Sequence, residues 1–209
     1  MAGPAVAGAE ISRRERKKLA VRARIVETAA ELFMRDGFTA TRVAEICERA
    51  DVAQKTFFNH FASKQELLRE LASYALAELF AVVETARKEE RSTRARIGRL
   101  FAEVAERAQN AGPMNRELVT ELVHAVHGSR QRSEHARRLH DAFGRLVGDG
   151  LAAGDVTRRH DPETLTEMIL GAYYVLVFNY ANIDGFPIER QAAAASRFLA
   201  DALAPAAEE

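Results

Sequence analysis

The sequence predicts an all-α protein of about nine helices, and three observations carry that expectation. Apolar residues recur at three- and four-residue spacing along almost the whole chain. Strand-like alternation is absent. The breaks between periodic segments are those of helix ends: Asp-Gly, Ser/Thr before an apolar run, and Asp-Pro.

Residues 1–12 are rich in Ala and Gly and read as a disordered tail. A long helix is expected from Arg16 to Arg35, with Ile25, Ala29, Leu32 and Phe33 as its inner stripe and Asp36-Gly37 as its stop. Thr41 is placed to cap the next, short helix, whose inner face is Val43, Ile46 and Cys47. After Asp51-Val52-Ala53 comes a second short helix with Phe57 and Phe61 at i, i+4. Ser63-Lys64-Gln65-Glu66 has the form of a capping box and starts a long helix to about Arg87.

Further along, Ser92 or Thr93 opens a helix with Ile97, Leu100, Phe101 and Val104 on one side, and Gly112-Pro113 breaks it. Leu118, Leu122, Val123 and Val126 define the next, ending near Gly128. Another starts near Ser133 and carries Leu139, Phe143, Leu146 and Val147. Asp161-Pro162 is a start signal, an Asp cap with proline at the first helical position. Asp184-Gly185 stops that helix. Pro187 opens the last, which ends near Leu203.

The two short helices joined by three residues have the form of a helix-turn-helix, in which the first helix braces and the second enters the major groove of DNA. The outward face of the second holds Gln54, Lys55, Thr56, Asn59 and His60. Gln54 or Asn59 suits adenine and Lys55 suits guanine. Thr41, Arg42, His60 and Lys64 are placed for phosphates, Lys64 in the first turn of a helix whose N-terminus favours anions. Double-stranded DNA is therefore the expected partner. Net charge is zero, but between Ile11 and Val26 seven basic residues face a single acid, Glu15, so the N-terminal stretch can hold phosphate locally.

Thr41, Ile46, Ala50, Val52, Thr56, Phe57, His60, Phe61, Ser63, Lys64 and Leu67 make this stretch resemble the TetR family of bacterial transcription regulators. The family pattern runs T-x-x-x-x-I-A-x-x-A-G-V-S-x-x-T-[LF]-Y-x-[YH]-F-x-[SN]-K-x-x-L. The likeness extends upstream through Ile25, Ala29, Leu32, Phe33 and Gly37-Phe38 and covers about a third of the chain. Four residues depart from it. Asp51 stands at the turn glycine, where Asp tolerates the left-handed region. Ala53 stands at a capping serine, a loss of about 0.5–2 kcal/mol. Cys47 replaces a small alanine, and Phe58 a tyrosine whose hydroxyl often touches phosphate. Phe58 can offer DNA only apolar contact, as to a thymine methyl.

The resemblance implies a DNA-binding domain at 13–68 and an effector-binding and dimerisation domain at 69–205. It implies a repressor released from a palindromic operator by a small hydrophobic or aromatic effector. Candidate lining residues are Phe101, Met114, Leu118, Leu122, His124, Phe143, Tyr173, Tyr174 and Phe178, with Asn179 as a further polar tip. The readings set against this are an activator or effector-independent DNA binder, and a small helical enzyme or carrier using the same pocket. The last two helices are the expected homodimer interface. Met168 to Phe178 is apolar or Gly/Tyr throughout, which calls for burial on all sides, and a partner subunit supplies the missing side.

Other chemistry finds little support. Glu117, Glu121, His124 and His127 share a helix surface, but His127 is rotated from Glu117, and no metal is expected. No phosphate loop or nucleophile motif occurs, so neither catalytic residues nor a cofactor are expected. The single cysteine, Cys47, precludes an internal disulfide and reads as a small buried hydrophobe. No apolar run reaches transmembrane length and no secretory signal opens the chain, so a cytoplasmic protein without a membrane partner is expected.

Overall fold

A computed structural model describes residues 12–127 and 130–206, with side chains outside 122–135. Its helices are α1 (Arg13–Asp36), α2 (Val43–Arg49), α3 (Gln54–His60), α4 (Lys64–Glu89), α5 (Thr93–Asn110), α6 (Asn115–His127), α7 (Arg130–Ala153), α8 (Pro162–Asn182) and α9 (Ile188–Leu203). A single 3-10 turn, Gly112–Met114, joins α5 to α6. No strand occurs among the described residues, and the expected all-α class holds.

Most helix ends follow the side chains that the sequence places there. Asp161 accepts from Thr164 N at 2.8 Å, and Pro162 takes the first turn of α8, where its missing N–H costs nothing. Ser92 caps α5. Several starts differ from expectation. α2 has Arg42 at its N-cap with no side-chain cap, because the Thr41 hydroxyl donates back to Gly37 O, and α7 begins at Arg130, not near Ser133. α1 begins at Arg13 rather than Arg16, because Ser12 and Glu15 form a reciprocal capping box. At α4, Ser63 caps Glu66 N as expected, but the Glu66 carboxylate accepts from Ala62 N, one residue earlier than a capping box requires.

The apolar side chains collect into two cores. The first holds Ile25, Leu32, Phe33, Ile46, Phe57, Phe61 and Leu67, and it extends past the helix-turn-helix to Ala72 of α4, to Met114 of the 3-10 turn and to Leu118 of α6. The second packs α4 to α9 around Leu100, Phe101, Phe143, Leu146 and Ile169. α4 contributes to both, with Leu67 and Leu68 in one and Leu76 to Ala86 along the other. The close approach of Gly112 to α1 also links the halves. Its φ is +55°, and a Cβ there would lie 2.9 Å from the Met34 carbonyl oxygen.

The sequence calls for cover on all sides of α8, with a partner subunit supplying what one chain does not. In the single chain it is not covered all round: Leu165, Ile169, Tyr173, Leu176 and Val177 are buried, whereas Met168, Val175 and Phe178 are exposed. Phe198 of α9 is also exposed, at 72%. The physical reason is geometric: among the described residues, neighbouring helices cover one side of α8 and leave the opposite stripe exposed.

Candidate nucleic-acid interface and adjoining cavity

The helix-turn-helix is held from beneath. Phe57 and Phe61 are fully buried, as is Ile46, so α3 has one fixed rotation about its axis. Asp51 takes the left-handed conformation expected of it, φ 50°, and Val52 N donates to Cys47 O at 2.9 Å to close the turn. Ala53 begins α3 with no side-chain cap. With the inner face anchored, Gln54, Lys55, Phe58 and Asn59 are left exposed, and Thr56 half-buried. Phe58 sits edge-on against Phe57 with ring centroids 5.3 Å apart.

Arg22 fixes the far end of α3. Its Nη1 donates to the His60 carbonyl oxygen at 2.8 Å, its guanidinium pairs with Glu70, and its Cζ lies 4.2 Å from the Phe61 ring centre. One side chain thus ties α1 to α3 and α4. Burial, with Lys18 and Arg22 nearby, lowers the His60 pKa, which favours a neutral imidazole at physiological pH.

Two expected phosphate contacts have another duty in the structure. Lys64 Nζ donates to Phe38 O at 2.6 Å and to Thr41 O at 2.7 Å, and it sits 4.3 Å from the Phe38 ring centre. Burial pulls its pKa below the ordinary lysine value, and Glu117 opposes that. Thr41 is 1% exposed, and its Oγ1 donates to Gly37 O at 2.9 Å. Both side chains fasten the loop between α1 and α2 instead of facing outward, because the loop's carbonyls need donors and these two residues reach them. Arg42, exposed at the N-cap of α2, and Lys55 form no ion pair among the described residues. Cys47 is buried, and burial raises its thiol pKa, which disfavours the nucleophilic thiolate.

A cavity of about 380 Å³ lies between α4, α5, α6 and α8, and Met34 of α1 closes one side of it. Of the residues expected from the sequence, Met114, Leu118 and Tyr173 line it. Phe101 and Phe143 do not; they are fully buried core, 2% and 0% exposed. Phe178 points outward, 53% exposed. Tyr174 packs on Tyr173, with centroids 5.4 Å apart, and burial with Glu167 nearby pushes its pKa up to about 12. The side chains of Leu122 and His124, and of His127, lie outside the described residues. Unforeseen are Leu71, Tyr74, Glu78, Arg107 and Asn115. Asn115 left a readable signal, an amide at the inner start of a helix.

Among the described residues no helix is long and apolar enough to cross a membrane, and no group of three or more His, Cys, Asp or Glu is placed to hold a metal ion.

Residues 25–71 match the family model described as "Bacterial regulatory proteins, tetR family". The chain is 43% identical over 54 residues to the HTH-type transcriptional regulator TcmR of Streptomyces glaucescens, a match covering 26% of this chain and 24% of TcmR. It is 38% identical over 60 residues to the HTH-type transcriptional repressor KstR2 of Mycobacterium tuberculosis, covering 29% of this chain and 30% of that one. The matched segment therefore spans less than a third of either relative's length. Similar solved structures include a protein of unknown function from Rhodococcus sp. RHA1, with TM-score 0.68 and 23% identity over 96% of this chain and 100% of that one. Another is Thermus thermophilus FadR, a TetR family transcriptional repressor in complex with lauroyl-CoA, with TM-score 0.62 and 23% identity over 90% of this chain and 96% of that one. At these identities the likeness shows the fold, and it runs through both halves of the chain.

Proposed function

We propose that this chain, whose residues 25–71 form a TetR-family helix-turn-helix domain, is a homodimeric transcriptional repressor that binds a palindromic operator and leaves it when a small effector fills the cavity. The observation that carries the reading is the anchored α3, whose buried Phe57 and Phe61 present Gln54, Lys55, Phe58 and Asn59 outward together. Gln54 and Asn59 suit adenine, Lys55 suits guanine, and Phe58 suits a thymine methyl. Arg42 supplies phosphate contact from the start of α2, Thr56 and His60 flank the reading face, and Thr41 and Lys64 position the loop beside it.

Support for a dimer comes from the exposed stripe Met168, Val175 and Phe178 on α8 with Phe198 on α9, an apolar surface that a second copy would bury. A two-fold pair of reading heads matches a palindrome. Support for effector control comes from the cavity, which touches both α4 and Met34 of α1. A ligand there has different contacts when α1 and α4 shift, the requirement for moving a two-state equilibrium. The lauroyl-CoA bound by FadR of similar fold supports a cavity-held effector without naming the one used here.

The test is fluorescence anisotropy of the purified protein with a labelled pool of random duplexes. Binding that weakens linearly in log K against log salt, and weakens further in Lys55→Glu, is the expected outcome. No binding at low salt, or binding unaltered by Lys55→Glu, would contradict the reading.

A further inference from the structure

We propose that the effector is an uncharged, largely apolar molecule carrying one carbonyl-type hydrogen-bond acceptor; this rests on the cavity being the effector site, as read above. Most of the wall is aliphatic, with Leu71, Leu79, Val104, Leu118 and Val177 in it. The two charged residues in the described wall, Glu78 and Arg107, face each other with Arg107 Nη1 3.1 Å from Glu78 Oε2. Arg107 Nη2 also lies 3.5 Å from a carboxylate oxygen of Glu103. Its guanidinium is thus shared between two carboxylates. The group is solvent-exposed, Arg107 44% and Glu78 65%, so the wall offers an anion one cation that two carboxylates already compensate, and an ion gains little there to offset its own desolvation.

The complementary observation is Asn115. It is 8% exposed, it lies in the cavity wall, and its amide Nδ2 has no hydrogen-bond partner among the described residues. Its backbone N–H donates to Gly112 O, so the residue is held at the start of α6 while its amide stays unmatched. A buried amide donor without a partner is costly, and a ligand acceptor removes that cost once the amide turns about its broad terminal torsion toward the cavity. Tyr74, a polar group of α4 in the wall, already donates its hydroxyl to Glu70 Oε1 at 3.3 Å. A cationic ligand is equally ill suited, since it offers Asn115 no acceptor and Glu78 already has its counter-charge.

The inference is tested on the full-length protein with the apolar fluorophore N-phenyl-naphthylamine, displaced by methyl octyl ketone, decanoate or decylammonium, which share one chain length. The ketone is expected to displace it at concentrations about tenfold below either ion. Asn115→Leu, with displacement corrected for the variant's own fluorophore affinity, should weaken the ketone about fivefold, the loss of one neutral hydrogen bond. Asn115→Asp, which keeps the shape but presents an acceptor, should weaken the ketone at least as much. Glu78→Gln should improve decanoate by leaving Arg107 less compensated. Either ion matching the ketone, or ketone affinity indifferent to both Asn115 variants, overturns the proposal while leaving the cavity as the effector site. Failure of the wild-type protein to bind the fluorophore overturns the cavity reading itself, and this inference with it.

Discussion

Replacing Lys64 separates two accounts of one side chain. Its place in the first turn of α4 suggests a phosphate contact, but the structure commits its ammonium to the carbonyls of Phe38 and Thr41 at 2.6 and 2.7 Å, over the Phe38 ring. Each charge-assisted bond contributes about 1.5 kcal/mol at partial burial, and the ring contact about 0.5 kcal/mol. Release of the ordered lysine stem returns about 1 kcal/mol. Lys64→Ala should therefore cost about 2.5 kcal/mol of folding stability. In a chain of this length that lowers Tm by about 5–10 °C. Lys64→Met, which keeps the stem against Phe38, should show most of the same loss. Differential scanning calorimetry measures the shift, and the salt dependence of DNA binding is measured beside it. The slope should match that of the unaltered protein, because no phosphate contact is removed. A Tm change below about 1 °C with a slope reduced by about 0.9 would refute the structural role and restore the phosphate contact.

Three further outcomes are expected. Gly112→Ala places a Cβ 2.9 Å from the Met34 carbonyl oxygen at a φ of +55°, so it should cost about 1–3 kcal/mol in urea unfolding; an unchanged midpoint would show that the α1 contact yields. Asp149 has its pKa lowered from 3.8, first by its hydrogen bonds to Arg87. Its contribution to stability is then complete above about pH 4 to 5, the unfolded carboxylate range, and is lost as pH falls through its lower folded pKa. Asp149→Asn should flatten that acid limb of an unfolding-versus-pH curve, and an identical curve would contradict the pairing. Val175→Lys with Phe178→Glu should convert a dimer to a monomer in sedimentation velocity without loss of helicity, since both side chains are more than half exposed in the single chain; a persistent dimer would place the interface elsewhere.

What was legible in the sequence depended on the range of the interaction. Local rules located the helix-turn-helix, because Ile46, Phe57 and Phe61 bury at helical spacing and Asp51 tolerates the left-handed turn. The same kind of rule would have found the Ser12–Glu15 capping box, but its serine fell in a stretch read as a tail. Lys64 illustrates the opposite case. Its partners lie 26 and 23 residues earlier, and nothing in the spacing says which exposed-looking lysine folds back onto a loop. Cavity walls are harder still. Phe101 and Leu118 are both buried hydrophobes on helices, yet only Leu118 lines the cavity, and the difference lies in how α4, α5 and α6 splay, which periodicity does not encode. Asn115 and Arg107 entered the account through what they do or do not pair with, a property of three dimensions alone.

The central claim is sequence-specific recognition of DNA by α3, and its most direct test is selection of bound sites from random duplexes at stated salt, with the natural protein and Gln54→Ala in parallel. One inverted-repeat motif is expected for the natural protein, and for Gln54→Ala the same repeat and spacing with preference lost at one base pair per half-site. No enriched motif, or a motif indifferent to Gln54 and to substitutions of Lys55 and Asn59, would contradict it.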